Sequence, residues 1–207
     1  MGPAGAQAMK LVLASGNAGK LKELQAMLAE LPLQIVPQRE LGVDDVPETG
    51  LTFVENALIK ARHACAVTGL PALADDSGLI VDALDGAPGL YSARYAGSPT
   101  DDAANNAKLL DALRDVPAER RGARFYAVIV LLRHAGDPQP LICEGSWEGR
   151  IVDTPRGSHG FGYNPVFLDE ALGLTAAEMP PEQKNARSHR AAALRLLLQR
   201  LSRQLAH

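Results

Sequence analysis

Three short segments carry side chains that could act together on a phosphorylated molecule. The first is SGNAGK, Ser15 to Lys20, where an apolar run gives way to small residues and then to a helical pattern. Free backbone N–H groups and the positive end of a helix face the same point in such a turn, and glycine lets a phosphate come close. Lys20 adds a point charge. This is not a Walker A loop: two residues rather than four separate Gly16 from Gly19, and Leu21 stands where a magnesium-binding Ser or Thr is needed. The second segment is Asp75-Asp76-Ser77-Gly78, an acidic interruption of an apolar stretch. Adjacent carboxylates in a strand point to opposite faces, so one faces a site and the other supports it from behind. A hard cation offsets their repulsion, since Mg²⁺ takes one or two carboxylates together with phosphate oxygens. Glu48 in the PETG loop is a second candidate carboxylate. The third segment pairs GFGYNPVF with EQKNARSHR. Phe161 and Tyr163 offer ring faces, and Lys184, His189 and Arg190 offer donors, a combination suited to a base bearing carbonyl oxygens. Each segment alone also has a plain structural reading: a turn, a surface acidic bend, a solvated helix face over a core phenylalanine.

Other chemistries fit poorly. GSWEG at Gly145 puts tryptophan where a nucleophile elbow needs serine. The five histidines, His63, His134, His159, His189 and His207, have no zinc-ligand spacing with cysteines. The 207 residues carry 21 basic and 24 acidic side chains, a formal charge of −3, which argues against wholesale binding of nucleic-acid backbone. With 46% hydrophobic and 22% charged residues the chain reads as folded and globular. Cys65 and Cys143 read as two reduced, buried thiols. No apolar run approaches the roughly 18 residues of a membrane span. The opening MGPAGAQAM lacks the features of a secretory signal and reads as a loose tail over residues 1–8, which makes the cytosol the default compartment.

These segments must be positioned by alternating strands and helices. KLVLAS (residues 10–15) reads as a buried strand. AGKLKELQAMLAEL follows as a helix with Leu21, Leu24, Leu28 and Leu31 on one stripe, then LQIVPQ as a second strand. Thr52 to Glu55 is a capping-box pattern opening a helix that presents Phe53, Ala57, Ala61, Ala64 and Val67 and stops at Gly69. GAPGLYSARYAGSPT is a punctuated loop long enough to suggest function. Thr100-Asp101-Asp102 caps a helix running to about residue 114. ARFYAVIVLLRH and PLICEGSWEGRIV read as neighbouring strands across an AGDP turn, and residues from about 186 to 205 as one long helix. The expected architecture is a single α/β domain over residues 9–207, in two lobes around a mixed sheet.

Taken together, SGNAGKLKEL, ETGLTFVENALIKA, ADDSGLIVDALDGAPGLYSARYAG, GFGYNPVF and EQKNARSHRAAAL, in that order, resemble the inosine/xanthosine triphosphate pyrophosphatase family. The likeness runs from Met9 to the final helix. It implies two α/β lobes around a long mixed sheet with the nucleotide in the cleft between them, a homodimer, Mg²⁺ dependence, and hydrolysis of ITP, dITP and XTP to the monophosphate and pyrophosphate. It implies that Ser15, Gly16, Asn17, Ala18, Gly19 and Lys20 hold the triphosphate, with Lys60 as a helper. Asp76 becomes general base and metal ligand, with Glu48 a further ligand. Ser77, Phe161, Gly162, Tyr163, Asn164, Lys184, His189 and Arg190 contact substrate, the last seven on the base side. The family usually has aspartate where this chain has Asn164. A non-catalytic purine nucleotide-binding module and a phosphatase or kinase-like phosphotransferase are the rival readings; the first leaves the carboxylates beside the phosphate turn unexplained.

Overall fold

Side-chain alternation defines two faces of one sheet. Strand β1 (Met9–Ala14) sends Leu11 and Leu13 to one face and Val12 and Ala14 to the other, as a strand covered on both sides must. Strand β3 (Ala72–Val81) repeats this: Leu73 joins the first face, Ala72 and Ala74 the second. The computed structural model describes residues 9–29 and 33–205. The expected tail over residues 1–8, and Leu31 of the leucine stripe, lie outside the described residues.

The remaining strands are β2 (Leu33–Pro37), β4 (Gly122–Leu132), β5 (Leu141–Ile151), β6 (Phe167–Asp169) and β7 (Leu174–Thr175). They form one mixed sheet in the order β2-β1-β3-β4-β5-β6-β7. β1 is parallel to β2 and β3, and the pairings from β3 onward are antiparallel. The expected β4–β5 hairpin is present. In its turn the Asp137 carboxylate accepts from the Arg133 backbone at 3.1 Å, the Arg133 guanidinium at 2.6 and 2.8 Å, and the Gln139 N–H at 3.0 Å.

Helix α1 (Ala18–Leu28) and the C-terminal helix cover the first face with Leu24, Leu28, Leu194 and Leu197. Helix α2 (Phe53–Thr68) covers the second with Ala57, Ala61 and Ala64, small enough to bring the helix backbone close to the sheet. Thr52 Oγ1 accepts from the Glu55 N–H at 3.3 Å, while the Glu55 carboxylate accepts from the Leu51 N–H, one residue earlier than a capping box. Val67 is 53% exposed rather than buried. Three residues beyond Ala64 it has rotated off the stripe, and buried Cys65 completes that stripe instead.

The C-terminal helix is also not continuous. Helix α4 (Pro181–Arg187) ends at Ser188, whose backbone is extended, and α5 (His189–Leu205) begins at once. Ser188 is 1% exposed and its Oγ accepts from the Ala191 N–H at 3.2 Å. This side-chain cap satisfies a free amide at the new helix start and makes the break favourable. Lys184 therefore stands on one helix, and His189 and Arg190 in the first turn of the next. Helix α3 (Asp102–Ala112) completes the layer and adds Leu109 to a third apolar cluster with Leu79, Phe125, Trp147 and Phe167.

Candidate active site

The β1–α1 turn behaves as a helix start after a strand should. Asn17 is the cap, its Oδ1 accepting the Lys20 N–H at 3.0 Å, and Ser15 Oγ accepts from the Asn17 N–H at 3.3 Å. The amides of Ala18 and Gly19 have no acceptor within the helix. Gly19 also serves packing: a Cβ there would lie 2.8 Å from the Phe161 ring, so the turn and the aromatic loop meet only because this residue has no side chain.

β3 divides the two aspartates between its faces. Asp75 turns to the side of α1 and α5 and is fully buried; Asp76 turns toward α2 and is 6% exposed. Lys20 Nζ lies 3.3 Å from Asp75 Oδ2 and 4.0 Å from Asp76 Oδ1. Lys60, reaching in from α2, lies 3.2 Å from Asp76 Oδ1 and 3.3 Å from Glu48 Oε1. Burial raises the Asp76 carboxyl above its ordinary value, Glu48 and Asp75 add to that, and Lys60 and Lys20 only partly oppose it. Burial likewise pushes the Lys20 ammonium below its ordinary value, with Asp75 opposing. For Asp75 burial acts upward, but Arg190, Lys20 and Lys60 outweigh it and hold the carboxyl well below the usual range.

Arg190 joins the two ends of the site. Its Nη2 donates to Ser77 Oγ at 2.7 Å, its Nη1 to Glu23 Oε2 at 2.7 Å, and its Nε faces Asp75 Oδ1 at 3.4 Å as an ion pair without hydrogen-bond alignment. Lys184 Nζ donates to the other Glu23 oxygen. Both cations stand near the Phe161 ring, Lys184 Nζ at 5.2 Å and Arg190 Cζ at 5.7 Å from its centroid. His189 stacks on Phe125 at 5.1 Å and 15°. Burial first, then Arg190, lowers its pKa well below the ordinary value, so the imidazole is neutral and contributes one donor and one acceptor rather than a charge. Its Nδ1 and the Nδ2 of Asn164 have no hydrogen-bond partner. Tyr163 lines the pocket but its ring belongs to the third apolar cluster, and its hydroxyl donates to Ser92 O at 2.7 Å.

Two hollows make one continuous groove. The outer is lined by Ser15, Gly16, Glu48, Lys60 and Asp76, and the inner by Phe161, Gly162, Tyr163, Asn164, Lys184, His189 and Arg190. Asn17, Lys20, Ser77, Ala93 and Thr100 line both. Of the sequence candidates, only Ala18 and Gly19 line neither hollow, because their place is the helix start and the Phe161 contact. Sequence reasoning missed Glu23, which stands three residues after Lys20 on the same side of α1 and holds both base-side cations. That spacing was its one visible signal, since its partners are up to 167 positions away.

Residues 11–200 match the Ham1 family model. The chain belongs to the Ham1 family. A curated dITP/XTP pyrophosphatase of Xanthomonas oryzae pv. oryzae is 81% identical over 191 residues, covering 92% of this chain and 96% of that protein. The Shigella flexneri dITP/XTP pyrophosphatase is 59% identical over 192 residues, covering 93% and 98%. Among solved structures, a HAM1 protein from Coxiella burnetii superposes with a TM-score of 0.88 at 51% identity, covering 94% of this chain and 99% of that one. The Ham1 match spans the segments that supply both halves of the groove, including the start of α5 with His189 and Arg190.

Proposed function

We propose that this Ham1-family chain hydrolyses dITP, ITP and XTP by the reaction NTP + H₂O → NMP + pyrophosphate, using Mg²⁺. The observation that carries the reading is the single groove, in which a phosphate turn and a carboxylate pair run through Lys20 and Ser77 into an aromatic pocket lined with cationic donors. Relatives named dITP/XTP pyrophosphatase support the substrate class.

The residues fit the metal. Asp76 and Glu48 direct oxygen donors at one positive charge, the Lys60 ammonium, and such a pair suits Mg²⁺ completed by phosphate oxygens. Among the described residues no cluster of three or more His, Cys, Asp or Glu could hold a metal, which leaves part of its coordination to substrate. Bound there, the ion supplies charge neutralisation on the phosphates. The chain does the rest. The Ser15–Lys20 turn and Lys20 orient the polyphosphate, and Lys60 adds positive charge beside it. Asp76 accepts a proton from the attacking water. The water oxygen bonds to the α-phosphorus, the bond to the bridging oxygen breaks, and pyrophosphate leaves.

Base choice follows from donors. One donor of Lys184 is spent on Glu23, which leaves two for a base in the inner pocket. Hypoxanthine and xanthine present O6 as an acceptor, whereas adenine presents an amino donor there, and each unmet buried group costs about 1–3 kcal/mol. The test is a panel of ITP, dITP, XTP, GTP and ATP scored for released pyrophosphate with and without EDTA. ITP and XTP are expected to be cleaved at least about 100-fold more efficiently than ATP, with loss of activity in EDTA. Equal cleavage of ATP, or release of inorganic phosphate in place of pyrophosphate, contradicts the reading.

Asn164 gives a finer prediction. Its buried amide lies beside Gly160 and Lys184. A carboxylate there accepts a base N1–H about twice as strongly as an amide oxygen. Asn164→Asp is expected to raise kcat/KM about 3–10-fold for ITP and to lower it for ATP, whose N1 is an acceptor. Unaltered values for all bases would show the position to be neutral. A homodimer and a cytosolic location belong to the same reading. Among the described residues no helix is long and apolar enough to cross a membrane.

A further inference from the structure

Helix α3 carries two consecutive asparagines, Asn105 and Asn106, only 1% and 8% exposed. Asparagine is a poor helix former because its amide competes with the backbone, and buried amides need partners. Most of those partners lie outside the helix. Asn105 Oδ1 accepts from the Ala96 N–H at 2.7 Å and its Nδ2 donates to Ala93 O at 3.1 Å. Asn106 Nδ2 donates to Gly162 O at 2.8 Å, as well as to Asp102 O at 2.8 Å. Asp102 Oδ2 accepts from the Gly162 N–H at 2.7 Å. Both backbone polar groups of Gly162 are thus held, at a residue whose φ of +62° favours glycine. The hydroxyl of Tyr163 then ties this loop to Ser92 in the other. The two loops, one with Ser92 and Ala93 and the other with Phe161 and Asn164, wall the inner pocket.

We propose that Asp102, Asn105 and Asn106 are positioning residues that set the distance between these walls, and hence the affinity for the nucleoside end of the substrate. The inference rests on reading the inner pocket as the purine site. None of the three needs to touch the reacting phosphates; Asp102 stands at the edge of the inner pocket, and the role proposed for it is its bond to Gly162.

Asp102→Ala is the informative variant, because Asp102 is exposed and the α3 cap is Asp101, whose Oδ1 accepts the Ala104 N–H at 3.0 Å. Removal of the charge-assisted bond to Gly162 is expected to raise KM for ITP and Kd for IMP about 10-fold, with kcat falling less than about 3-fold. The inhibition constant of magnesium pyrophosphate, which engages only the outer groove, should move less than about 2-fold. Asp102→Asn keeps an oxygen for the Gly162 N–H and should recover most of the affinity. A role confined to the helix dipole would leave Asn as impaired as Ala. An unmoved IMP affinity in Asp102→Ala overturns the proposal, as does a parallel loss of pyrophosphate affinity or an absence of recovery in Asp102→Asn. IMP calorimetry needs no turnover, so a parent protein that binds IMP yet cleaves no triphosphate would refute the proposed reaction while leaving the clamp measurable.

Discussion

Replacing Asp76 by asparagine is expected to lower kcat for ITP about 10³-fold while leaving the melting temperature unchanged or slightly raised. The activity loss follows from its position in the groove within reach of Lys20 and Lys60. The stability result follows from the direction of its pKa. Burial raises the folded-state value above the unfolded one, so ionised Asp76 costs stability, and that cost is present above the folded pKa. A neutral amide removes it, and Lys60 keeps Glu48 as a partner. Single-turnover kinetics with ITP and a thermal melt of the same preparation check both halves. Near-parental turnover at saturating Mg²⁺ would refute the assignment of Asp76.

The neighbouring substitution should do the reverse to the fold. Asp75 is fully buried among Lys20, Arg190 and Ser77, and Asp75→Asn leaves the buried Arg190 and the partly buried Lys20 without their shared counter-charge. Breaking such a cluster costs about 3–5 kcal/mol. For a chain of this length that corresponds to a fall in melting temperature of about 10 °C. The folded-state pKa lies below the unfolded value, so the contribution is fully present above the unfolded pKa of about 3.9 and is lost as pH falls through the lower folded value. Melts at neutral pH and at successively lower pH should therefore show parent and variant converging in acid. A variant as stable as the parent at pH 7 would show that the cluster does not depend on Asp75.

The two aspartates show what a linear sequence can and cannot convey. Period-two alternation assigned them to opposite faces of a strand, and the apolar runs of β1, β3, β4 and β5 were readable because each is governed by local burial. Thr52, Glu55 and Gly69 marked α2 for the same reason, their partners being a few residues away. The break at Ser188 was not readable, because helical periodicity continues through it and a serine looks like any polar helix position. Only its buried cap reveals the new start. Glu23, Asn105 and Asn106 were missed on similar grounds. Each looks like a solvated helix residue until the fold brings Arg190, Ala93 or Gly162 beside it. Most of the charged and aromatic residues that touch the groove were legible by type, Asp102 excepted; the residues that hold them in place were not.

The most direct measurement is a crystal structure of the Asp76→Asn variant with ITP and Mg²⁺. The account predicts the hypoxanthine ring in the inner pocket beside Phe161 with O6 accepting from Lys184, and the triphosphate against the Ser15–Lys20 turn with its α-phosphate near Lys20 and position 76. A nucleotide bound in the opposite direction, or one whose base lies in solvent while Phe161 and Lys184 stay packed against each other, would contradict it.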